Sequence, residues 1–294
     1  MKPPRFVYHD PESLSEALSL LAEFGDEARV LAGGQSLVPI LNFRLARPGH
    51  LIDINGISEL AAIGTDDGIG LRVGAMVRQR ALERSDVVLE HAPVVAQALP
   101  FVGHPQIRNR GTLGGSLAHA DSAAELPAVM VALDAVFTLR SQHRQRTVAA
   151  ADFFVGQLST LLQPDEMLTE VHIPACPEQT GSSVMEVAVR RGDFALGGVV
   201  TLLTLNIGGS VGRARIVCFG VEERPLRQTE AEQSLEGAPA GEAAFGEAGR
   251  IVSARVESAD DIHASAGYRR RLAGVLTRRT LAEALARVKQ VAAA

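Results

Sequence analysis

Two short stretches carry the residue types best suited to chemistry. Ala32-Gly33-Gly34-Gln35-Ser36-Leu37 follows one apolar run and precedes another. Paired glycines let a backbone turn sharply and present successive N–H groups, and a helix start adds partial positive charge. Such a turn suits a pyrophosphate, with the Ser36 hydroxyl as one more donor. The stretch lacks the lysine of a P-loop and the GxGxxG spacing of a dinucleotide fingerprint, so it also reads as a tight strand-to-helix turn that holds nothing.

The second stretch runs from Arg108 to Asp121. Thr112, Gly114, Gly115 and Ser116 repeat the pairing of glycine with hydroxyl. His119 and Asp121 follow, two apart, and in an extended segment they face one side. An aspartate there accepts hydrogen bonds from ligand hydroxyls such as those of a ribityl chain. Taken alone this is equally a surface loop. Two such stretches in one chain point to a large bipartite phosphate ligand more strongly than either does singly.

Two further segments are less specific. Arg190-Arg191-Gly192-Asp193-Phe194-Ala195-Leu196 reads as a charged turn entering a buried strand. Asp260 to Arg271 offers Asp261 or Ser265 as a helix cap, followed by a basic run that is either a solvated face or a docking surface. The Asp-His pair at 261 and 263 has poor metal-ligand spacing. There is no GxSxG elbow and no cysteine in a catalytic context, so redox chemistry has to come from a bound cofactor.

The elements that position these residues are legible in outline. Phe6 to His9, Ala28 to Ala32 and His50 to Asn55 read as strands. Leu14, Ala17, Leu18, Leu21 and Ala22 recur at helical spacing, and Leu37 to Leu45 also looks helical. Strands are expected at Ile69 to Ala75, Ala135 to Arg140 and Glu170 to Ile173, and helices at Arg78 to Leu82, Val87 to Leu99 and Glu125 to Leu133. Pro105 to Ser116 reads as a loop, and Thr147 to Val155 as a turn entering a short helix. Pro174 to Ser182 is the best boundary. Beyond it come strands at Val184 to Val189, Val199 to Ile207 and Ala214 to Gly220, then a helical stretch from Thr229 to Val252 interrupted at Gly237 to Gly241. A long helix runs from about Gly267 to Ala292. Elements that alternate early and segregate late argue for an α+β or α/β protein of two or three units.

Composition agrees. With 294 residues, 46% hydrophobic and 21% charged, the chain can bury a substantial core. A net charge of −5 gives no reason to expect nucleic acid or membrane as partner. The N-terminus has no secretory pattern, and the Leu196–Leu205 apolar stretch is too short to span a bilayer. Cys176 and Cys218 lack metal-type spacing. A cytoplasmic protein is expected.

AGGQSL (32–37), IRNRGTLGGSLAHAD (107–121), RRGDFAL (190–196) and DDIHASAGYRRRLAGVL (260–276), in this order and spacing, resemble the medium, FAD-binding subunit of molybdenum hydroxylases. That family includes xanthine dehydrogenase and aerobic carbon monoxide dehydrogenase. The resemblance extends from Phe6 to about Ala286. It implies an α+β fold: a p-cresol-methylhydroxylase-type FAD-binding fold of two subdomains, at 1–58 and 59–176, and a C-terminal domain of the carbon monoxide dehydrogenase flavoprotein type at 180–294. Ala32 to Leu37 match the first pyrophosphate loop, and Thr112, Gly114, Gly115 and Ser116 the second. Asp121 matches an aspartate near the ribityl chain or isoalloxazine. Phe194 stands where relatives often carry a tyrosine near the flavin ring, keeping the aromatic face without the hydroxyl. His119 and Asp193 complete the candidate cofactor-binding set. Ser122 stands where many relatives have proline.

The implied function is electron relay in an oxidoreductase. Substrate is oxidised on a large molybdopterin subunit, and electrons pass through a small subunit with two iron–sulfur clusters to FAD and on to NAD, a quinone or another acceptor. Two cysteines cannot hold such clusters here. The implied assembly is a dimer of heterotrimers, with Arg269 to Arg271 as a candidate contact surface. The alternatives are a stand-alone FAD-dependent oxidoreductase and a flavin-free scaffold of the same fold. Changing Gly114 and Gly115 to valine is expected to lose FAD with the fold retained.

Overall fold

The computed structural model describes residues 2–66 and 70–291. Among the described residues the chain builds three larger sheets in succession and one two-stranded sheet. The first third contains β1 (Val7–His9), α1 (Leu14–Phe24), β2 (Ala28–Leu31), α2 (Leu37–Asn42) and β3 (His50–Asp53). Its strands are parallel in the order β1-β3-β2. Helix α1 forms where the apolar period predicts it. Leu14, Ala17, Leu18 and Leu21 are its buried face, and the Ser13 hydroxyl accepts from the Glu16 N–H at its start.

The middle of the chain supplies β4 (Ile63–Asp66), β5 (Gly70–Gly74), α3 (Gln79–Glu83), α4 (Asp86–His91), α5 (Pro93–Ala98), α6 (Pro105–Arg110), α7 (Leu113–His119) and α8 (Glu125–Ala132). There follow β6 (Val136–Arg140), β7 (Gln145–Ala149), α9 (Ala150–Phe153), β8 (Phe154–Gly156), β9 (Ser159–Thr160) and β10 (Met167–Pro174). An antiparallel sheet of order β4-β5-β10-β6-β7 results, with β8 and β9 a separate hairpin. Two findings correct the sequence reading. The stretch taken as a loop from Pro105 to Ser116 is the helix pair α6 and α7, broken only at Gly111-Thr112. The turn expected near Thr147 lies within strand β7, and β4 is a further strand.

The last third holds β11 (Thr180–Ala188), β12 (Ala195–Leu205), β13 (Val211–Phe219), β14 (Leu226–Arg227), α10 (Thr229–Leu235), α11 (Glu242–Arg255) and α12 (Ala266–Val291). The four strands pair antiparallel in sequence order. One face of this sheet packs under α11 and α12, through Val199, Leu203, Ile216, Val252 and Leu276. The other face contributes Val184, Val200, Val217 and Phe219 to the large core around α8. A sheet covered on both faces explains why β12 reads as a nearly unbroken apolar run. Helix α8 is buried at all eight positions, so it has no polar face to show.

Candidate functional site

The first glycine stretch leaves β2 and enters α2. Gly34 has φ 72, a conformation that glycine adopts without strain. Four carbonyls of this turn are taken. Asn55 Nδ2 donates to Ala32 O at 2.8 Å, and Gln35 Nε2 to Gly33 O at 2.8 Å. The N–H of Val38 donates to Gly34 O, and that of Ile40 to Ser36 O. The donors are not taken. Among the described residues, the five N–H groups of Gly33, Gly34, Gln35, Ser36 and Leu37 have no hydrogen-bond partner, and the Ser36 side chain makes no cap bond. A turn with most of its acceptors engaged and its donors open is suited to receive an anion.

The second stretch lies directly against the first. A Cβ on Gly33 would stand 2.3 Å from Arg110 O and 2.8 Å from the Gly111 Cα, and one on Gly115 would lie 3.6 Å from the Ala32 Cβ. Ala32 to Leu37 are thus brought together with Thr112 to Ser116. Here the N–H groups are engaged inside the chain. Leu113 N–H donates to Val77 O, Gly114 N–H to Ala75 O, and Gly115 N–H to the Thr112 hydroxyl at 3.0 Å. Gly114 is a contact glycine: a Cβ there would sit 2.5 Å from the Ala75 Cβ and 2.8 Å from its carbonyl oxygen. The expectation that valine at Gly114 leaves the fold intact is therefore corrected.

His119 and Asp121 do not share a side of an extended segment. His119 closes α7, Ala120 turns left-handed with φ 52, and Asp121 starts the next turn, its Oδ1 accepting the Ala123 N–H at 2.9 Å. This turn is a junction. Ala120 O accepts the Leu158 N–H from the β8–β9 hairpin, and Ser122 O accepts the Gly220 N–H from the end of β13. Asp121 lies one seven-residue helix beyond Thr112, roughly 10 Å along its axis.

The Arg190–Phe194 segment rests against the start of α6. A Cβ on Gly192 (φ 88) would meet His104 Cε1 at 2.7 Å. Asp193 donates its N–H to Arg190 O, and the Phe194 ring stands 71% exposed. Ser265 caps α12 by accepting the Tyr268 N–H at 3.2 Å. Arg269 turns inward rather than outward: 8% exposed, it pairs with Asp261 and donates to Leu196 O and Gly220 O. Of the basic run offered as a contact surface, Arg271 is exposed and Arg270 half-buried.

Sequence reasoning missed Asn55 and Arg78, and included Arg110 only as part of the second stretch, with no role. Arg78 donates to Arg110 O and, at 2.6 Å, to Asn55 Oδ1. Burial and the neighbouring Arg110 charge pull the Arg78 guanidinium below its ordinary value, with Asp53 opposing. Burial would raise the Asp53 carboxyl, but hydrogen bonds from Asn55 and Tyr8 and the charge of Arg110 hold it below the usual range. Two guanidiniums beside open N–H groups make this region electropositive. Among the described residues no group of three His, Cys, Asp or Glu is placed to hold a metal, and no helix is long and apolar enough to cross a membrane.

Parallel strands, an antiparallel sheet and paired glycine loops between them define a flavin-binding architecture, and the comparisons agree. Residues 4–176 match the family described as FAD binding domain in molybdopterin dehydrogenase, and residues 182–284 the CO dehydrogenase flavoprotein C-terminal domain. The chain belongs to the family of FAD-binding medium subunits of molybdenum hydroxylases. It is 40% identical to the 6-hydroxypseudooxynicotine dehydrogenase complex subunit alpha of Paenarthrobacter nicotinovorans, over 98% of this chain and 97% of that one. It is 37% identical to the carbon monoxide dehydrogenase medium chain of Hydrogenophaga pseudoflava, over 98% and 99%. A solved structure of carbon monoxide dehydrogenase from Hydrogenophaga pseudoflava superposes with a TM-score of 0.94 at 38% identity, covering 98% of this chain and 99% of that chain. Quinoline 2-oxidoreductase from Pseudomonas putida 86 does so with 0.93 at 39% identity, over 97% and 99%.

Proposed function

We propose that this chain binds FAD across the two glycine loops and relays electrons through it. On this reading the open N–H groups of Gly33 to Leu37 and the Ser36 hydroxyl receive the pyrophosphate. Thr112, Gly114, Gly115 and Ser116 form the opposite wall. His119 and Asp121 lie towards the ribityl and ring end, with Asp193 and Phe194 bordering it. The row of five unpartnered donors is the observation that carries the reading, because successive open N–H groups on a half-buried turn whose carbonyls are largely engaged offer an anion a ready set of donors.

Bound FAD supplies electron exchange in one- or two-electron steps. The chain's own residues bind the phosphates, screen their charge through Arg78 and Arg110, and hold the ring end beside the Asp121 junction. The family's dehydrogenase complexes place the rest on other subunits. A small subunit with two iron–sulfur clusters delivers electrons, and a large molybdopterin subunit oxidises the substrate. The relatives' names range over carbon monoxide, a nicotine derivative, caffeine and glyceraldehyde, so substrate choice belongs to the large subunit. An external acceptor such as NAD or a quinone takes the electrons, and the assembly is a dimer of heterotrimers in the cytoplasm.

The test is purification of the chain with its co-expressed partners, followed by a visible spectrum and metal analysis. Flavin bands on this chain, with iron and molybdenum on the others, are expected. A colourless chain that takes up no added FAD overturns the reading and leaves a flavin-free scaffold.

A further inference from the structure

The two loops come from different parts of the chain, and a run of side chains fastens them to each other. Arg78 precedes α3, in the segment that follows β5. Its backbone forms a bridge with Thr112, the residue that opens α7. One arm of its guanidinium donates to Arg110 O, the oxygen against which Gly33 packs. The other arm donates to Asn55 Oδ1 at 2.6 Å. The Asn55 amide then donates to Ala32 O at 2.8 Å, immediately before the first glycine pair. Asn55 is itself held, since its N–H donates to Asp53 Oδ1 at 2.9 Å, and Tyr8 donates to the other Asp53 oxygen at 2.7 Å.

We infer that Arg78, acting through Asn55, is a positioning residue that sets the spacing and orientation of the two loops for the pyrophosphate. The inference rests on the FAD reading above. Its geometry assigns Arg78 a task that a point charge cannot perform. Two donors on one rigid plane reach a carbonyl of the second stretch and an amide that grips the first. The strap engages carbonyls on both sides and leaves the N–H groups of Gly33 to Leu37 open. It also holds two guanidiniums, Arg78 and Arg110, near one carboxylate, Asp53, an imbalance that an anionic ligand relieves.

The experiment uses the full chain stripped of flavin and titrated with FAD by flavin fluorescence, alongside the thermal unfolding of the apo form. Arg78→Met and Asn55→Ala are each expected to raise the FAD Kd about tenfold or more, the scale of a lost charge-assisted hydrogen bond. The double variant is expected to bind no worse than Arg78→Met, because both remove the same strap. Arg78→Lys is expected not to restore affinity. Asn55 lies on an exposed turn, so Asn55→Ala keeps the test alive where Arg78→Met unfolds. Unchanged Kd in both single variants overturns the inference. So do additive losses in the double variant, which would make Arg78 a direct ligand contact, or full rescue by lysine, which would make charge sufficient. Wild-type protein with no affinity for FAD is a different result, since it removes the underlying reading itself.

Discussion

At the scale of single residues, Gly33 and Ser36 divide structure from ligand. Any side chain at Gly33 drives into Arg110 O at 2.3 Å, and that oxygen is pinned by Arg78. Gly33→Ala is therefore expected to lower the apo Tm and to weaken FAD binding at least tenfold, because the loops must part. Ser36 makes no cap bond within the protein. Ser36→Ala is expected to leave the apo Tm within about 1 °C while raising the FAD Kd several-fold, as for one lost neutral hydrogen bond. Calorimetry and a flavin titration on the two variants check the pair; a Ser36→Ala chain with wild-type affinity would remove that hydroxyl from the site. Glycine beside hydroxyl was visible in the sequence because both sit within one local stretch. Asn55 and Arg78 were not, because each acts across 23 residues through a turn whose geometry no local pattern encodes.

Among the elements, α7 shows how a motif can mislead about its own mechanics. TLGGSL reads as a loop offering N–H groups, yet Thr112 caps a helix and the N–H groups of Leu113, Gly114 and Gly115 stay within the chain. The glycine at 114 exists so that α7 can lie on the backbone at the end of β5, against Ala75. Gly114→Val is expected to destabilise the fold by about 3 kcal/mol, the upper range for overpacking, and to be seen first as a drop in apo Tm. A variant that loses FAD with an unchanged apo Tm would return Gly114 to the ligand side. Elements with a strong period, such as α1 and β12, were legible because a buried face fixes their composition. Strands β4 and β7 were not. They are the two edges of their sheet, short and half-exposed, so nothing forces an apolar run on them.

In the whole molecule, the sequence around Pro174–Ser182 gave no sign of how tightly the elements on either side of it join. Asp134 (φ 51) follows α8 and faces Arg213 at 2.6 Å, Arg215 at 3.1 Å and Arg227 at 3.2 Å, all on the C-terminal sheet. Asp134→Asn keeps the left-handed backbone and removes only charge, so it is expected to cost about 1 kcal/mol and to make unfolding less salt-sensitive. The same seam buries Glu125 and half-buries Glu186. Glu125 opens α8, and Glu186 lies on β11, two residues from Val184 and on the same face, with its Oε2 buried and lacking a partner. Burial pushes Glu125 up to about 7, with Asp121 adding to the rise and Arg108 opposing it. Burial, with Glu125 nearby, pushes Glu186 up to about 8. In the unfolded chain both lose their protons near 4.5. Between that value and about 8 the folded chain binds more protons than the unfolded one, so stability falls as pH rises through this window. Glu186→Gln holds the neutral form at every pH. Its Tm is expected to match that of the wild type near pH 5, to exceed it by about 2 °C or more at pH 8, and to decline less between the two. Superimposable Tm–pH curves for the two proteins would show that Glu186 is ionised in the folded seam, with a cation or water answering its charge.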